Sequence, residues 1–363
     1  MQHIQTEVSA GVGLITLNRP QALNALSLEM LYNLTAVLCN WIEDAEVEIV
    51  AIRGTSRQGP FGAFCAGGDI RFFHDAAIAG DSTLEDFFTT EYRLNNLIYN
   101  YPKPYIAFMD GVVMGGGMGL AQGAHLRIVG PSTKIAMPET NIGLFPDVGG
   151  GYFLSRCPGF SGEYLALTGQ VLSGEEALAV GLADGLAAEG CMPDLWHSLT
   201  QNTQQKPRER LESLKARLGT TAAKPQWLDR QIDAIFSLPT LVTIIQALEQ
   251  ADNHWAIQTL QALRQRSPLM LHVTLEQIRR GRQLQIADEL RLERTLVQHC
   301  FNPVHLKRAA YNCETVEGIR ALVVDKDRNP QWHPPRIEDV TAEMVIPFFD
   351  DPWPQGHHPL ADL

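Results

Sequence analysis

The chain has 363 residues, 45% of them hydrophobic and 19% charged, with 41 Asp and Glu against 29 Lys and Arg. That composition belongs to a globular protein long enough for one large core or two unequal ones, and it excludes a disordered or fibrous chain. The formal net charge of −12 argues against a surface that tracks nucleic-acid phosphates, so an anionic ligand would need a local basic patch or backbone N–H groups.

Residues 1–8 show no basic region leading into an apolar one, so no secretory signal is expected. No run of about 18 uncharged apolar residues occurs, so no membrane partner is expected either. Residues 12–18 predict a strand that ends at Arg19-Pro20. Ser27 then predicts a helix N-cap, followed by Leu28, Leu31, Leu34, Leu38, Trp41 and Ile42 at helical spacing. A short apolar strand follows at 47–53. After a loop rich in Gly, Ser and Pro comes a second helix, around 83–100, and then strands at 105–109 and 126–130. This alternation predicts an α/β architecture. From about residue 191 the strand signals fade into Gln-rich helical text, including residues 201–205. The stretch 206–225 reads as a boundary or an exposed excursion, and 241–297 as helices. Seven prolines from Pro330 onward predict irregular chain, docked or loose. The six cysteines, Cys39, Cys65, Cys157, Cys191, Cys300 and Cys313, include no C-x-x-C pair. Reduced thiols in a cytoplasmic protein are therefore expected, rather than disulfides or a zinc site.

Chemistry could sit in four places. At residues 64–71 (FCAGGDIR) two glycines follow a strand, which lets backbone N–H groups approach a ligand; the same residues would also make a plain strand-to-helix turn near Asp69. At 109–121 (MDGVVMGGGMGLA) three glycines precede a helix-compatible run and would leave N–H groups unpaired at its start; close helix packing is the alternative use. The segment is neither a Walker A sequence nor a G-x-G-x-x-G in register. At 137–151 (MPETNIGLFPDVGGG) Glu139 and Asp147 stand in an apolar loop shaped by Pro and Gly. Desolvation there would raise their pKa values and suit acid/base work. A helix N-cap at Asp147 and a solvated turn at Glu139 are the structural alternatives. Finally, Glu91 shares a helix face with Phe87, Leu94 and Ile98, so its carboxylate reaches a pocket or sits at the rim of that stripe. No G-x-S-x-G or H-E-x-x-H sequence is present, and His357-His358 reads as solvated.

Taken together these segments resemble the enoyl-CoA hydratase/isomerase (crotonase) superfamily. The resemblance extends over about residues 4–335. It implies an α/β fold, with a crotonase-like ββα spiral core over residues 1–200 that binds acyl-CoA and carries catalysis. A helical C-terminal region over 201–335 and a Pro-rich tail over 336–363 would follow. Residues 64–70 resemble the family's first oxyanion loop and Gly115–Gly117 its second, which implies that the amides of Gly68 (or Ala66) and Gly116 hold the thioester oxygen. Residues 138–154, 91–96 and 317–330 are similar to one branch of the family, the 3-hydroxyisobutyryl-CoA hydrolases of valine breakdown. On that resemblance Glu139 attacks the thioester or deprotonates a water that does, Asp147 orients the substrate hydroxyl or the attacking group, and Glu91 lines the acyl pocket. The family's hydratases carry a second glutamate shortly after the triple glycine, and here that place is held by Gly119. Enoyl-CoA isomerase action, with Glu139 as sole acid/base, is the alternative enzyme, and a non-catalytic acyl-CoA-binding subunit the alternative from another class. No metal or prosthetic group is implied, CoA being part of the substrate. The resemblance leaves a homo-oligomer open, since the family forms trimer-based assemblies that the longer C-terminal region could cap.

Overall fold

The computed structural model describes residues 3–363 apart from Asn202, Gln226 and Asp229. The first two residues of the N-terminal stretch and one residue of the Gln-rich run thus lie outside the described residues. The chain forms two compact units that interleave along the sequence, one of residues 1–68, 93–136 and 171–225, the other of 69–92, 137–170 and 226–363. Composition changes near residue 200, whereas compactness groups 69–92 and 137–170 with the C-terminal helices. The cause is packing: the helix Pro268–Gly281 lies on the helices Ser161–Thr168 and Gly150–Leu154, and the helix Glu314–Ile319 lies on Ile70–Ala79.

The first unit holds the strands. A sheet runs in the order β1 (Ile4–Ser9), β2 (Val12–Leu17), β3 (Ile49–Ser56), β6 (Tyr105–Met109), β8 (Leu126–Val129) and β11 (Gly185–Leu186), with β4 (Gly59–Pro60) paired to β3. β1 and β2 form an antiparallel pair with Ile4 opposite Leu17, and from β2 onward the neighbours in that order are parallel. Val50, Ala51, Ile52, Ile106, Ala107 and Phe108 are fully buried. Such continuous apolar text is what a parallel strand covered on both faces requires. The predicted cap holds: the Ser27 hydroxyl accepts from the Met30 amide at 3.3 Å and opens the helix Leu28–Glu43. A second sheet runs β10 (Leu172–Ser173), β9 (Lys134–Ala136), β7 (Val112–Met114) and β5 (Ala63–Cys65), in which β5, β7 and β9 are parallel.

The second unit is helical. Phe73, Phe87, Phe88 and Phe301 stack edge-on or tilted, with centroids of Phe73 and Phe87 4.8 Å apart and Phe88 6.1 Å from the Tyr92 ring. Each buried phenylalanine contributes about 1.5–3 kcal/mol by leaving water. The loop expected before the second predicted helix itself contains the helix Ile70–Ala79, ahead of Thr83–Tyr99. The Pro-rich tail is docked: Ile337, Phe348 and Leu360 are buried, and the Arg291 Nε donates to the Leu360 carbonyl at 3.0 Å.

Candidate active site

The first unit presents a pair of backbone amides. β5 and β7 are parallel neighbours, with Ala63 opposite Val112 and Cys65 opposite Val113, so their C-terminal ends lie side by side. The chain bends after each, at 66–68 and at 115–116. The Ala66 amide donates to the Leu23 carbonyl at 3.0 Å, and the Gly67 carbonyl accepts from the Leu26 amide at 2.8 Å. Ala66 is therefore committed to the scaffold, and of the two first-loop donors expected from the sequence only Gly68 is open. Among the described residues neither the Gly68 amide nor the Gly116 amide has a hydrogen-bond partner. Gly116 owes this to its place at the first position of the helix Gly116–Gln122.

Two glycines make this approach of the bends possible. Gly67 has φ +106°, and a β-carbon there would meet the Met114 carbonyl oxygen at 3.2 Å and the Gly116 nitrogen at 3.4 Å. A β-carbon on Gly117 would lie 2.3 Å from the Cys65 carbonyl oxygen, a contact no side chain survives without backbone movement.

The second unit presents carboxyls. Glu139 opens the short turn Glu139–Ile142, which Pro138 enters and Gly143, at φ +66°, closes. Its side chain is buried, and its Oε2 has no hydrogen-bond partner among the described residues. It is therefore no solvated turn residue. Asp147 is buried as well, and its Oδ2 accepts from the Tyr92 hydroxyl at 2.8 Å. The helix Gly150–Leu154 takes Gly149 rather than Asp147 as its N-cap, which leaves the Asp147 carboxyl for other work. Glu91 is buried within its apolar stripe rather than at a rim, and its Oε1 has no hydrogen-bond partner among the described residues.

Burial sets the electrostatics of all three carboxyls. It pushes Asp147 up to about 7, with the Tyr92 hydrogen bond pulling the other way. Burial raises Glu139 well above the ordinary carboxylate range, and the negative charge of Asp147 adds to that. Glu91 is raised by burial first, then by the charges of Asp147 and Glu139. These groups repel one another when ionised, so the cluster retains protons near neutral pH and can accept and return one. Tyr92 was not singled out by sequence as a site residue; its only signal was its place in the 91–96 motif. Glu289 and Glu293, both fully buried on the helix Ile286–Phe301, were missed too, although they join Leu296 and Cys300 with the same spacing that marked Glu91.

This scaffold is a known one. The chain belongs to the enoyl-CoA hydratase/isomerase family, whose sequence model matches residues 12–349. Within that family it is similar to the mitochondrial 3-hydroxyisobutyryl-CoA hydrolase of Gallus gallus, 39% identical over 96% of this chain and 88% of that protein. It is likewise similar to 3-hydroxyisobutyryl-CoA hydrolase 1 of Arabidopsis thaliana, 38% identical over 96% of this chain and 91% of that one. Among solved structures, a carnitinyl-CoA dehydratase from Mycobacterium thermoresistibile matches with a TM-score of 0.86 and 35% identity, covering 96% of this chain and 97% of the other. The crotonase-like α/β core with a C-terminal helical region is thus the fold of this chain.

Proposed function

We propose that this protein hydrolyses 3-hydroxyisobutyryl-CoA to 3-hydroxyisobutyrate and CoA, a step of valine breakdown, without a metal or prosthetic group. The observation that carries this reading is Glu139, a buried carboxyl with an unpaired oxygen and raised proton affinity. The names of the animal and plant relatives support the substrate.

In the proposed reaction the Gly68 and Gly116 amides act as an oxyanion hole. They hold the thioester oxygen as it gains charge, each donor being worth about 3–4 kcal/mol in the transition state. Glu139 works at the carbonyl carbon in one of two ways. As a base it takes a proton from water, the water oxygen bonds to carbon, the C–S bond breaks and the CoA sulfur leaves with the proton. As a nucleophile its own carboxylate oxygen bonds to carbon, the C–S bond breaks and CoA leaves as the thiolate; water then cleaves the mixed anhydride, its oxygen bonding to the anhydride carbonyl carbon and its released proton going to the thiolate. Asp147, held by Tyr92, orients the substrate hydroxyl or the attacking group, and Glu91 lines the acyl pocket. The dehydratase named among the solved structures offers a second reading. Gly119, inside the buried helix Gly116–Gln122, speaks against it, because a hydrogen atom in place of a second glutamate transfers no proton.

The test is a thiol-release assay with purified protein over a panel containing 3-hydroxyisobutyryl-CoA, a straight-chain acyl-CoA and crotonyl-CoA. Rapid thiol release from the first supports the reading. Hydration or a double-bond shift in an enoyl-CoA without thiol release contradicts it, as does binding without turnover. Cytoplasmic residence is also our proposal, on the scattered spacing of the six cysteines, which includes no C-x-x-C pair. The Gallus gallus relative carries the word mitochondrial in its name, so cell fractionation decides the point.

A further inference from the structure

The turn that carries Asp147 is gripped from below by three buried side chains. On one flank, the Gln277 Nε2 donates to the Pro146 carbonyl at 2.8 Å. On the other, the Glu293 carboxylate accepts two amides at once, Gly149 at 2.7 Å through Oε2 and Gly151 at 3.1 Å through Oε1. The same Gln277 amide reaches the Glu293 Oε1 at 3.2 Å and the Glu289 Oε1 at 3.4 Å. Because a carbonyl can only accept, the bond to Pro146 fixes which end of the Gln277 amide is the donor. Glu289, Glu293 and Gln277 are all fully buried. A β-carbon at Gly151 would lie 1.9 Å from the Glu289 Oε1, so the turn rests directly on this cluster.

Such an arrangement is costly to keep without a purpose. An ionised carboxylate loses its hydration on burial, and here no lysine or arginine hydrogen-bonds the Glu293 carboxylate among the described residues. What compensates is the pair of glycine amides, while burial first and the charge of Glu289 second raise the proton affinity of Glu293 above the ordinary carboxylate range. An apolar side chain would fill the space at lower cost but would leave two buried amides unpaired and the turn unheld. Between the two gripped flanks lie Asp147 and Val148, the latter at φ +54°, a conformation that a β-branched residue adopts only when its surroundings enforce it.

We propose that Glu293 is a positioning residue for hydrolysis: with Gln277 and Glu289 it fixes the Pro146–Gly151 turn and so aims the Asp147 carboxyl. This rests on the role given to Asp147 above. Glu293→Gln keeps the shape but presents an NH2 group where one glycine amide needs an acceptor. The turn shifts, and a displacement of about 1 Å at a reacting group costs about 100-fold in rate. Because Asp147 orients groups at the reacting end, the loss is read in the single-turnover rate of thiol release.

The test is a double-mutant cycle in single-turnover thiol release from 3-hydroxyisobutyryl-CoA, with enzyme in excess. Glu293→Gln, Asp147→Asn and the double variant are compared, and Gln277→Met enters the same cycle in case Glu293→Gln fails to fold. Expected is a fall of about 10–100-fold for Glu293→Gln, a smaller fall for Gln277→Met, and nearly complete loss of either effect in the Asp147→Asn background. Near-normal rates for both singles overturn the proposal. So does a full effect that persists in that background, because the cluster would then act elsewhere. A near-normal rate for Asp147→Asn alone refutes instead the role of Asp147 on which the proposal stands.

Discussion

Replacing Asp147 by asparagine probes the electrostatics of the carboxyl cluster. Burial moves the Asp147 carboxyl from 3.8 up to about 7 in the folded chain. The folded state therefore holds the proton more tightly than the unfolded one. The associated stability is fully present below the unfolded value and is lost as pH rises through the folded value, so the window runs from about pH 4 to above pH 7. A shift of about three units at 1.36 kcal/mol each amounts to about 4 kcal/mol. The asparagine side chain would carry no charge to desolvate, and its carbonyl still accepts from the Tyr92 hydroxyl. Asp147→Asn should match the wild type near pH 4 and exceed it by several kcal/mol, up to about 4, at pH 8. Urea unfolding followed by tryptophan fluorescence at pH 4, 6 and 8 measures this directly. A difference that does not change with pH, or a variant that loses ground as pH rises, would refute the argument.

Three further outcomes follow from the same geometry. Tyr92→Phe removes the hydrogen bond that holds the Asp147 value down; if ionised Asp147 is the working form, the acid limb of the kcat profile should move to higher pH, and an unmoved limb would separate Tyr92 from catalysis. Gly117→Ala places a methyl carbon 2.3 Å from the Cys65 carbonyl oxygen and should destabilise the protein by about 1–3 kcal/mol, with loss of thiol release, whereas an unchanged melting temperature would show that the bend has room. Single-turnover hydrolysis in heavy-oxygen water, with mass analysis of Glu139, tests the nucleophilic route: label in the protein requires water to have attacked the Glu139 carbonyl of a mixed anhydride, which a general base never forms.

How much of this was legible in the sequence varies with the distance over which each feature is decided. The strand at 12–18 and the cap at Ser27 are local, written in alternation and in one hydroxyl, and β2 and the helix Leu28–Glu43 reproduce them. The burial of Glu91 was half visible, since its apolar neighbours on the helix set the stripe while only packing decides whether the stripe is covered. The same spacing at Glu289 and Glu293 passed as an ordinary amphipathic helix, because polar residues inside a stripe gain meaning only from the glycine amides they meet more than a hundred residues away. The choice between Ala66 and Gly68 likewise depended on Leu23, whose carbonyl takes the Ala66 amide. The interleaving of the two units was hidden for a similar reason: Ser161–Thr168 is buried all round, so nothing in its pattern names Pro268–Gly281 as what covers it.

The claim at the centre is that the Glu139 carboxyl breaks the thioester. Its most direct measurement is the rate of free CoA thiol release from 3-hydroxyisobutyryl-CoA by Glu139→Gln, alongside the affinity of that variant for CoA. The account predicts release abolished and CoA binding largely intact. Turnover close to that of the unaltered protein would take Glu139 out of the reaction and contradict it.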